Sequence, residues 1–369
     1  LLTSYHVVKE ATKIYVRLPG GKGSYVDIHA ADPRSDLAIL RVLDNSILPL
    51  KPIAITQDNK FRKGQMVLSI ANPYAAGYRD GSPSASWGII SNLRRRDPGK
   101  SLWEQDRADW TIHDFGTMLQ ADARLNLGCS GGALINLKGE LIGVTTALAA
   151  ISGSETAGGY AIPLDESVRA ILNELIEGKE VAYGFLGVGF GSDERQVEVN
   201  VLEGSAAARG GLSSGDVILS VNGHPIRHSE DLFLNVGMQL AGTQAKIEVR
   251  TRQGVHRTLT VALDKFHVPG PIIASQKPAA VRGMRVEYGS IWCQRFSKQK
   301  VPDGVYVSEV IPGSAADQAR LQDHFITRVN GKPVHNPADF YREAGKRGGP
   351  LTLTVRRSEL DEYRTVRLD

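Results

Sequence analysis

NLGCSGGALINLKGELIGVTT, residues 126–146, sets a serine among glycines and follows it with two apolar segments. At its centre, Gly128-Cys129-Ser130-Gly131-Gly132 carries glycine on both sides of the serine. Glycine enters left-handed backbone conformations without steric cost, so main-chain N–H groups in such a turn face inward and approach a ligand closely. One hydroxyl and several bare amides are thereby presented to the same carbonyl. Behind the turn lie Ala133-Leu134-Ile135 and Leu141-Ile142-Gly143-Val144, separated by Asn136-Leu137-Lys138-Gly139-Glu140. Apolar run, turn residues, apolar run is the pattern of a hairpin. A serine on a loop held by a hairpin is a nucleophile candidate, although the pentapeptide by itself is equally compatible with a flexible turn, because short motifs recur by chance.

A serine hydroxyl is a weak nucleophile at neutral pH and needs an imidazole to accept its proton and a carboxylate to fix the imidazole tautomer. Both occur upstream. Thr3-Ser4-Tyr5-His6-Val7-Val8 supplies a histidine, and Asp32-Pro33-Arg34-Ser35-Asp36-Leu37-Ala38-Ile39-Leu40 supplies an aspartate at the mouth of an apolar strand. A rival pair, His113-Asp114, is weakened because sequence neighbours on an extended chain point to opposite sides.

These three segments, in the order His, Asp, Ser, resemble the HtrA (Deg) family of chymotrypsin-fold serine proteases: LLTSYHVV its histidine segment, DPRSDLAIL its aspartate segment, and residues 126–146 its serine segment. The resemblance implies His6 as general base, Asp36 as its orienting partner and Ser130 as nucleophile. The backbone N–H groups of Gly128 and Ser130 would form an oxyanion hole, whose individual donors are each worth about 10²- to 10³-fold in rate. It implies neither cofactor nor metal. Cys129 departs from the asparagine usual in the family; it is either a small semi-buried side chain or a thiol that makes activity sensitive to oxidation. Leu127 is a further departure. Arg124 stands six residues before the serine, where a chymotrypsin-fold primary pocket has its base. It disfavours a preference for basic residues. The family implies small or medium apolar side chains there, and the arginine either faces outward or attracts an acidic side chain.

Composition bounds the rest. A chain of 369 residues suffices for two or three domains, since a single core rarely grows past about 250 to 300 residues. The longest apolar run, near 141–151, falls short of the roughly 20 residues a spanning helix needs. The net charge is only +4, with Arg94-Arg95-Arg96 as the one basic cluster; without stacking aromatics beside it, it reads as a solvated loop, and nucleic acid is not an expected partner. The cysteines, Cys129 and Cys293, fall in different expected domains, so no disulfide framework is expected. The chain opens within what reads as the strand leading to His6, which suggests an N-terminally cut fragment with an incomplete first barrel and any export signal upstream.

Short runs at 14–18, 25–28, 37–42 and 66–70, broken by turn residues at Pro19-Gly20-Gly21 and Lys63-Gly64-Gln65, suggest the strands of a barrel or sandwich, which by the family resemblance would be what remains of the first barrel. Residues 86–91 resemble the opening strand of a second barrel. A polar insert over 94–116, with Trp103, Trp110 and His113, is long enough to border a cleft. Residues 158–163 resemble a closing strand. Apolar residues at Leu164, Val168, Ile171, Leu172, Leu175 and Ile176 predict an amphipathic helix ending at Gly178.

The remainder is one module written twice. Gly204-Ser205-Ala206-Ala207 recurs as Gly313-Ser314-Ala315-Ala316, and Val217-Ile218-Leu219-Ser220-Val221-Asn222-Gly223 as Phe325-Ile326-Thr327-Arg328-Val329-Asn330-Gly331. Each copy continues with a helix-like segment and an alternating strand. The copies resemble PDZ domains, which take up a peptide as an added strand and receive its terminal carboxylate on backbone amides. Gly184-Phe185-Leu186-Gly187-Val188 resembles the binding loop, making the amides of Leu186, Gly187 and Val188 the candidates. The second copy has Gly283-Met284-Arg285-Val286 there, and Asp323-His324 in place of the Gly215-Asp216 turn.

The expected organisation is mainly β: a chymotrypsin-like double β-barrel over 1–180, PDZ domains over 181–268 and 283–369, and a linker over 269–282. The resemblance implies a serine endopeptidase acting on unfolded or damaged proteins in the periplasm or another extracytoplasmic space. C-terminal peptides would bind at the PDZ modules, and the chain would form a homo-oligomer, a trimer by family likeness. The other expectation is a proteolytically silent, chaperone-like peptide-binding scaffold.

Overall fold

The computed structural model describes residues 1–18, 21–73, 82–95, 111–125, 128–146, 159–191, 196–346, 349–357 and 362–369. Pro19, Gly20, Arg96, Trp103, Trp110, Leu127, Ile151 and Gly158, each singled out in the sequence, lie outside the described residues. The chain divides into two compact units: Leu1–Val181 with Val268–Lys277, and Ala182–His267 with Pro278–Asp369.

The first unit opens with β1 (Leu2–Ser4), the single-turn helix α1 (Tyr5–Val8), β2 (Ile14–Arg17), β3 (Gly23–Asp32) and β4 (Leu37–Val42). They form one antiparallel sheet in the order β1-β4-β3, with β2 paired to the start of β3. The register shifts between Ile28 and Ala30, a bulge at His29. Beyond it, the two-residue strand Ile273–Ala274, from the stretch expected as a linker, pairs with Ala31 and Ala30. Val8, Val26, Ala31, Ala38 and Leu40 make the core of this sheet.

β5 (Met66–Ala71), β6 (Ser84–Arg95), β7 (Met118–Ala121), β8 (Ala133–Asn136), β9 (Leu141–Thr146) and β10 (Gly159–Pro163) close into a barrel in the order β10-β7-β6-β5-β8-β9. The run at 66–70, expected in the first barrel, is a strand of this second one: it pairs with β6 on one side and with β8 on the other. Every residue of β9 and β10 is buried, and Val67, Ile90, Leu119, Leu134 and Ile142 fill the interior. The expected hairpin forms between β8 and β9, where Asn136 Oδ1 accepts from the N–H groups of Lys138 (2.9 Å) and Glu140 (3.0 Å). Helix α2 (Glu166–Ile176) follows, capped by Asp165, whose Oδ1 accepts from Val168 N–H at 3.0 Å. Its buried stripe of Val168, Ile171, Leu172 and Leu175 packs on β3 and β4, each such side chain contributing about 1.5–3 kcal/mol through removal from water.

The second unit holds the two copies. The first runs β11 (Gly184–Phe185), β12 (Val188–Phe190), β13 (Val199–Val201), α3 (Ala206–Arg209), β14 (Val217–Val221), β15 (His224–Pro225), α4 (Ser229–Gly237), β16 (Gln244–Arg250), β17 (His256–Ala262) and β18 (Asp264–Lys265). After the short β19 (Ile273–Ala274) of the first unit, the second copy has β20 (Met284–Tyr288), α5 (Gly289–Arg295), β21 (Val305–Val310), α6 (Ala315–Gln318), β22 (His324–Val329), β23 (Lys332–Pro333), α7 (Pro337–Ala344), β24 (Leu351–Arg357) and β25 (Tyr363–Leu368). The repeated sequence does the same work twice. Ser205 and Ser314 cap α3 and α6. Asn222 and Asn330 turn into β15 and β23, their side chains accepting from Lys246 N–H (2.8 Å) and Thr352 N–H (3.1 Å). Each copy encloses its own apolar core.

Candidate active site

His6 sits on α1, and Asp36 ends the tight connection between β3 and β4. Asp36 adopts φ 54°, a left-handed conformation that costs an L-residue roughly 1–2 kcal/mol and persists only where surrounding contacts over-determine it. Three do so. Its carbonyl accepts from Tyr5 N–H at 2.8 Å, Oδ1 accepts from His6 N–H at 2.8 Å, and Oδ2 lies 2.7 Å from His6 Nδ1. The carboxylate thus grips both the main chain and the ring of the same residue. A carboxylate beside Nδ1 holds the proton there and leaves Nε2 as the basic nitrogen. The Asp36 side chain is 5 % exposed and that of His6 19 %, so the acid is buried while the ring keeps a solvent-facing edge.

The connection carrying Asp36 is held from two directions. Asp32 Oδ2 accepts from Ser35 N–H at 2.8 Å within the turn. From outside, Ile112 N–H donates to the Arg34 carbonyl at 2.9 Å, and His113 Nε2 lies 2.9 Å from the Ser35 carbonyl. A carbonyl only accepts, so Nε2 carries the proton; Nδ1 then accepts from the Thr117 hydroxyl, 2.6 Å away. The ring is fully buried, and that burial pushes its pKa below the usual histidine value against the opposing pull of the Ser35 carbonyl and of Asp36, Asp114 and Asp32. His113-Asp114 is therefore not a second base and acid. His113 braces the aspartate loop, while Asp114 closes a capping box on Thr111, accepting from its N–H at 2.7 Å. Sequence reading missed this brace. The signal available for it is the Thr-x-x-Asp capping pattern at 111–114, which marks a turn but not its target.

The serine turn is built on glycine, as its sequence implied. Gly128 and Gly131 have φ of 85° and 79°. A Cβ on Gly131 would lie 2.2 Å from Thr3 Oγ1, and one on Gly132 would lie 2.8 Å from the Ile70 carbonyl. The turn of Ser130 therefore packs directly against Thr3 and Ser4, the residues that run into His6. Gly131 N–H donates to the Thr145 carbonyl (2.8 Å), Thr145 N–H to the Gly132 carbonyl (2.9 Å), and Gly132 N–H to the Cys129 carbonyl (3.1 Å). Gly128 is exposed and Ser130 half-buried. Cys129 is 7 % exposed and packs with Ala71 and Leu125, so of its two readings the structure carries the small buried side chain. The Arg124 side chain is exposed, its main-chain N–H tied to Ser86 Oγ at 3.0 Å; it faces outward. Among the described residues no cluster of His, Cys, Asp and Glu could hold a metal ion.

In the second unit Leu186 is buried and Gly187 takes φ 81°. The Gly187 carbonyl accepts from Leu202 N–H (3.0 Å) and from Ser205 Oγ (3.2 Å), and the Leu186 carbonyl from Ala207 N–H (2.8 Å). With both carbonyls turned inward, the adjoining amides turn outward beside β12. The second copy repeats the frame: the Gly283 carbonyl accepts from Ile311 N–H (2.7 Å) and the Arg282 carbonyl from Ala316 N–H (3.1 Å). It differs in one respect. Val281 and Met284 exchange main-chain hydrogen bonds of 2.9 and 3.0 Å across Arg282-Gly283, so the Met284 amide is already used. Asp323, in place of Gly215, keeps the left-handed backbone, with φ 62° against 92°.

The model of the trypsin-like peptidase domain matches residues 1–144, and that of the PDZ domain residues 184–263. The periplasmic pH-dependent serine endoprotease DegQ of Escherichia coli (strain K12) is 30% identical over 381 residues, covering 100% of this chain and 77% of that protein. The periplasmic serine endoprotease DegP of Salmonella typhimurium is 28% identical over 378 residues, covering 98% and 73%. Among solved structures, the HtrA-type protease AlgW with decapeptide superposes with a TM-score of 0.52 at 28% identity, over 73% of this chain and 80% of that one.

Proposed function

The chain belongs to the HtrA family of serine endoproteases, with a trypsin-like peptidase domain and a PDZ domain, and on that footing we propose that it hydrolyses unfolded or damaged polypeptides through His6, Asp36 and Ser130. The observation that carries the assignment is the 2.7 Å contact between His6 Nδ1 and Asp36 Oδ2, on a segment packed against the Ser130 turn. Ser130 Oγ attacks the peptide carbonyl as His6 Nε2 takes its proton. Asp36 holds the ring in register and balances the charge it gains. The carbonyl oxygen becomes an oxyanion facing the N–H groups of Gly128 and Ser130. Collapse expels the amine with the proton from His6, and water, deprotonated by the same nitrogen, cleaves the acyl-enzyme. An unfolded segment offers its backbone to such a site more readily than a folded domain, whose carbonyls are mostly paired within its own secondary structure.

The amides of Leu186, Gly187 and Val188 receive the terminal carboxylate of a bound peptide, which adds as a strand beside β12. Residues 283–369 are read as a second PDZ domain, supported by the matched turns and caps, but with a carboxylate loop closed on itself by the Val281–Met284 exchange. The first copy is thus the peptide receptor. The domain organisation is protease over 1–180, PDZ over 181–268 and 283–369. The working compartment is extracytoplasmic, a reading supported by relatives named as periplasmic, and a homotrimer is the expected assembly.

A fluorophosphonate probe tests the assignment: labelling of the wild-type chain that disappears in Ser130→Ala, with casein cleavage lost in His6→Ala, is the expected result. A folded chain that takes no label overturns it in favour of a silent peptide-binding scaffold.

A further inference from the structure

Thr145 is a wholly buried polar residue of β9 that takes no part in the proton relay. Its hydroxyl donates to the carbonyl of Cys129 at 2.5 Å. That carbonyl and the N–H of Ser130 belong to one planar peptide unit, in which C=O and N–H point in opposite directions. Whatever fixes the direction of the carbonyl fixes the direction of the amide. Such a brace matters because the plane turns about Cys129 ψ and Ser130 φ, and the glycines at 128, 131 and 132 let the adjoining chain follow such a turn at little steric cost. A half-turn of this one peptide plane would aim the Ser130 N–H away from substrate while leaving His6 and Asp36 untouched.

We propose that Thr145 is a positioning residue for the oxyanion: its hydroxyl pins the Cys129 carbonyl inward and so aims the Ser130 amide at the carbonyl under attack. The inference rests on the proposed role of Ser130. Three features of the site make the hydroxyl specific. The backbone of Thr145 already ladders to Gly131 and Gly132 at 2.8 and 2.9 Å, so the turn is held without the side chain and the hydroxyl acts on a carbonyl the ladder does not reach. Threonine is branched at Cβ and stiff at χ1 on a strand, which fixes where the hydroxyl points. Finally, the other donor to the same carbonyl, Gly132 N–H, is the longer of the two at 3.1 Å.

The test compares Thr145→Val, Thr145→Ser and Thr145→Ala in the full chain. A misaimed donor forfeits part of the 10²- to 10³-fold worth of an oxyanion contact, so Thr145→Val is expected to lower kcat on fluorescein-labelled casein by about 10- to 100-fold with KM within about threefold. The same variant slows fluorophosphonate labelling of Ser130 in proportion, since the phosphonyl oxygen uses the same amides. Thr145→Ser, which keeps the hydroxyl, recovers most of both rates, and Thr145→Ala, of similar size, does not. A valine variant within twofold of wild type, a loss carried by KM, or equal losses in the serine and alanine variants overturns the inference. The serine–alanine pair keeps the test decisive should valine fail to fold. Labelling that never depended on Ser130 would instead sink the catalytic assignment, a separate outcome read from Ser130→Ala.

Discussion

Lowering the pH from 7.5 to 5 is expected to loosen the aspartate loop through His113. The ring is buried and neutral, and burial depresses its pKa. In the unfolded chain it titrates near the ordinary value of about 6.5. Between those two values the unfolded state binds a proton that the folded state refuses. Stability therefore rises with pH in that window: it is fully present above about pH 6.5 and drains away as the pH falls towards the depressed folded pKa. One proton sets the limiting slope at about 1.4 kcal/mol per pH unit. His113→Gln removes the titration and keeps a side-chain N–H for the Ser35 carbonyl. It gives up the geometry of the 2.6 Å contact with Thr117, at a cost of about 1–3 kcal/mol for a buried group left short of its partner. The variant is thus less stable at pH 7.5 yet has the flatter pH profile, and the two curves converge as the pH falls. Hydrogen exchange followed by mass spectrometry, read on peptides spanning 32–40 and 111–121, isolates this brace from the rest of the chain. The other groups that titrate here are common to both proteins, so the difference between profiles is the observable. Parallel profiles, or a wild-type loop as protected at pH 5 as at 7.5, would refute the reasoning.

Two further outcomes follow from single contacts. Gly187→Ala adds a Cβ 2.3 Å from that of Ser205 at a φ of 81°, a strain of roughly 1–2 kcal/mol from the backbone alone; binding of a fluorescent peptide with a free C-terminus is expected to weaken about tenfold or more while casein cleavage without peptide persists, and unchanged affinity would remove that loop from peptide recognition. Both cysteines are buried, and burial also pushes the Cys293 thiol up. Iodoacetamide at pH 7.5 is therefore expected to leave the native chain unmodified and fully active, whereas rapid alkylation of Cys129 with loss of activity would restore the oxidation-sensitive reading.

The parts of the fold visible in the sequence are those whose determinants lie close together along the chain. The serine turn, the hairpin behind it and the Asp165-capped helix each place cap, turn and apolar stripe within a dozen or so residues, and their boundaries emerged nearly as expected. The twofold repeat was visible because both copies spend the same residues on the same turns; the PDZ model reaches only 184–263, yet Ser314 and Asn330 repeat the hydrogen bonds of Ser205 and Asn222. Membership of β5 in the second barrel was not visible. An apolar run declares that it is a strand, whereas its neighbours are set by the register it finds with β6 and β8.

The same distinction governs the active site. Residues that perform chemistry are recognisable by type, because proton transfer and acyl transfer restrict the choice to a few side chains. Residues that aim them are not, because any group offering one hydrogen bond in the right direction serves. His113 holds the Ser35 carbonyl across 78 positions, and Thr145 holds that of Cys129 across 16. Each grips the peptide unit that leads into a proposed catalytic residue, Asp36 in one case and Ser130 in the other. Both carbonyls belong to turns with left-handed backbone, Asp36 at φ 54° and the glycines at 79° and 85°. Such turns are strained or soft, so the orientation of a functional group within them is not secured locally. A nucleophile and an acid placed on them require an outside donor for the carbonyl just before each. The same problem is solved twice, once for a loop of the sheet and once for a turn of the barrel, and in each case the donor comes from a buried position in the barrel half whose polarity, unexplained by packing, is the signal that sequence alone leaves uninterpreted.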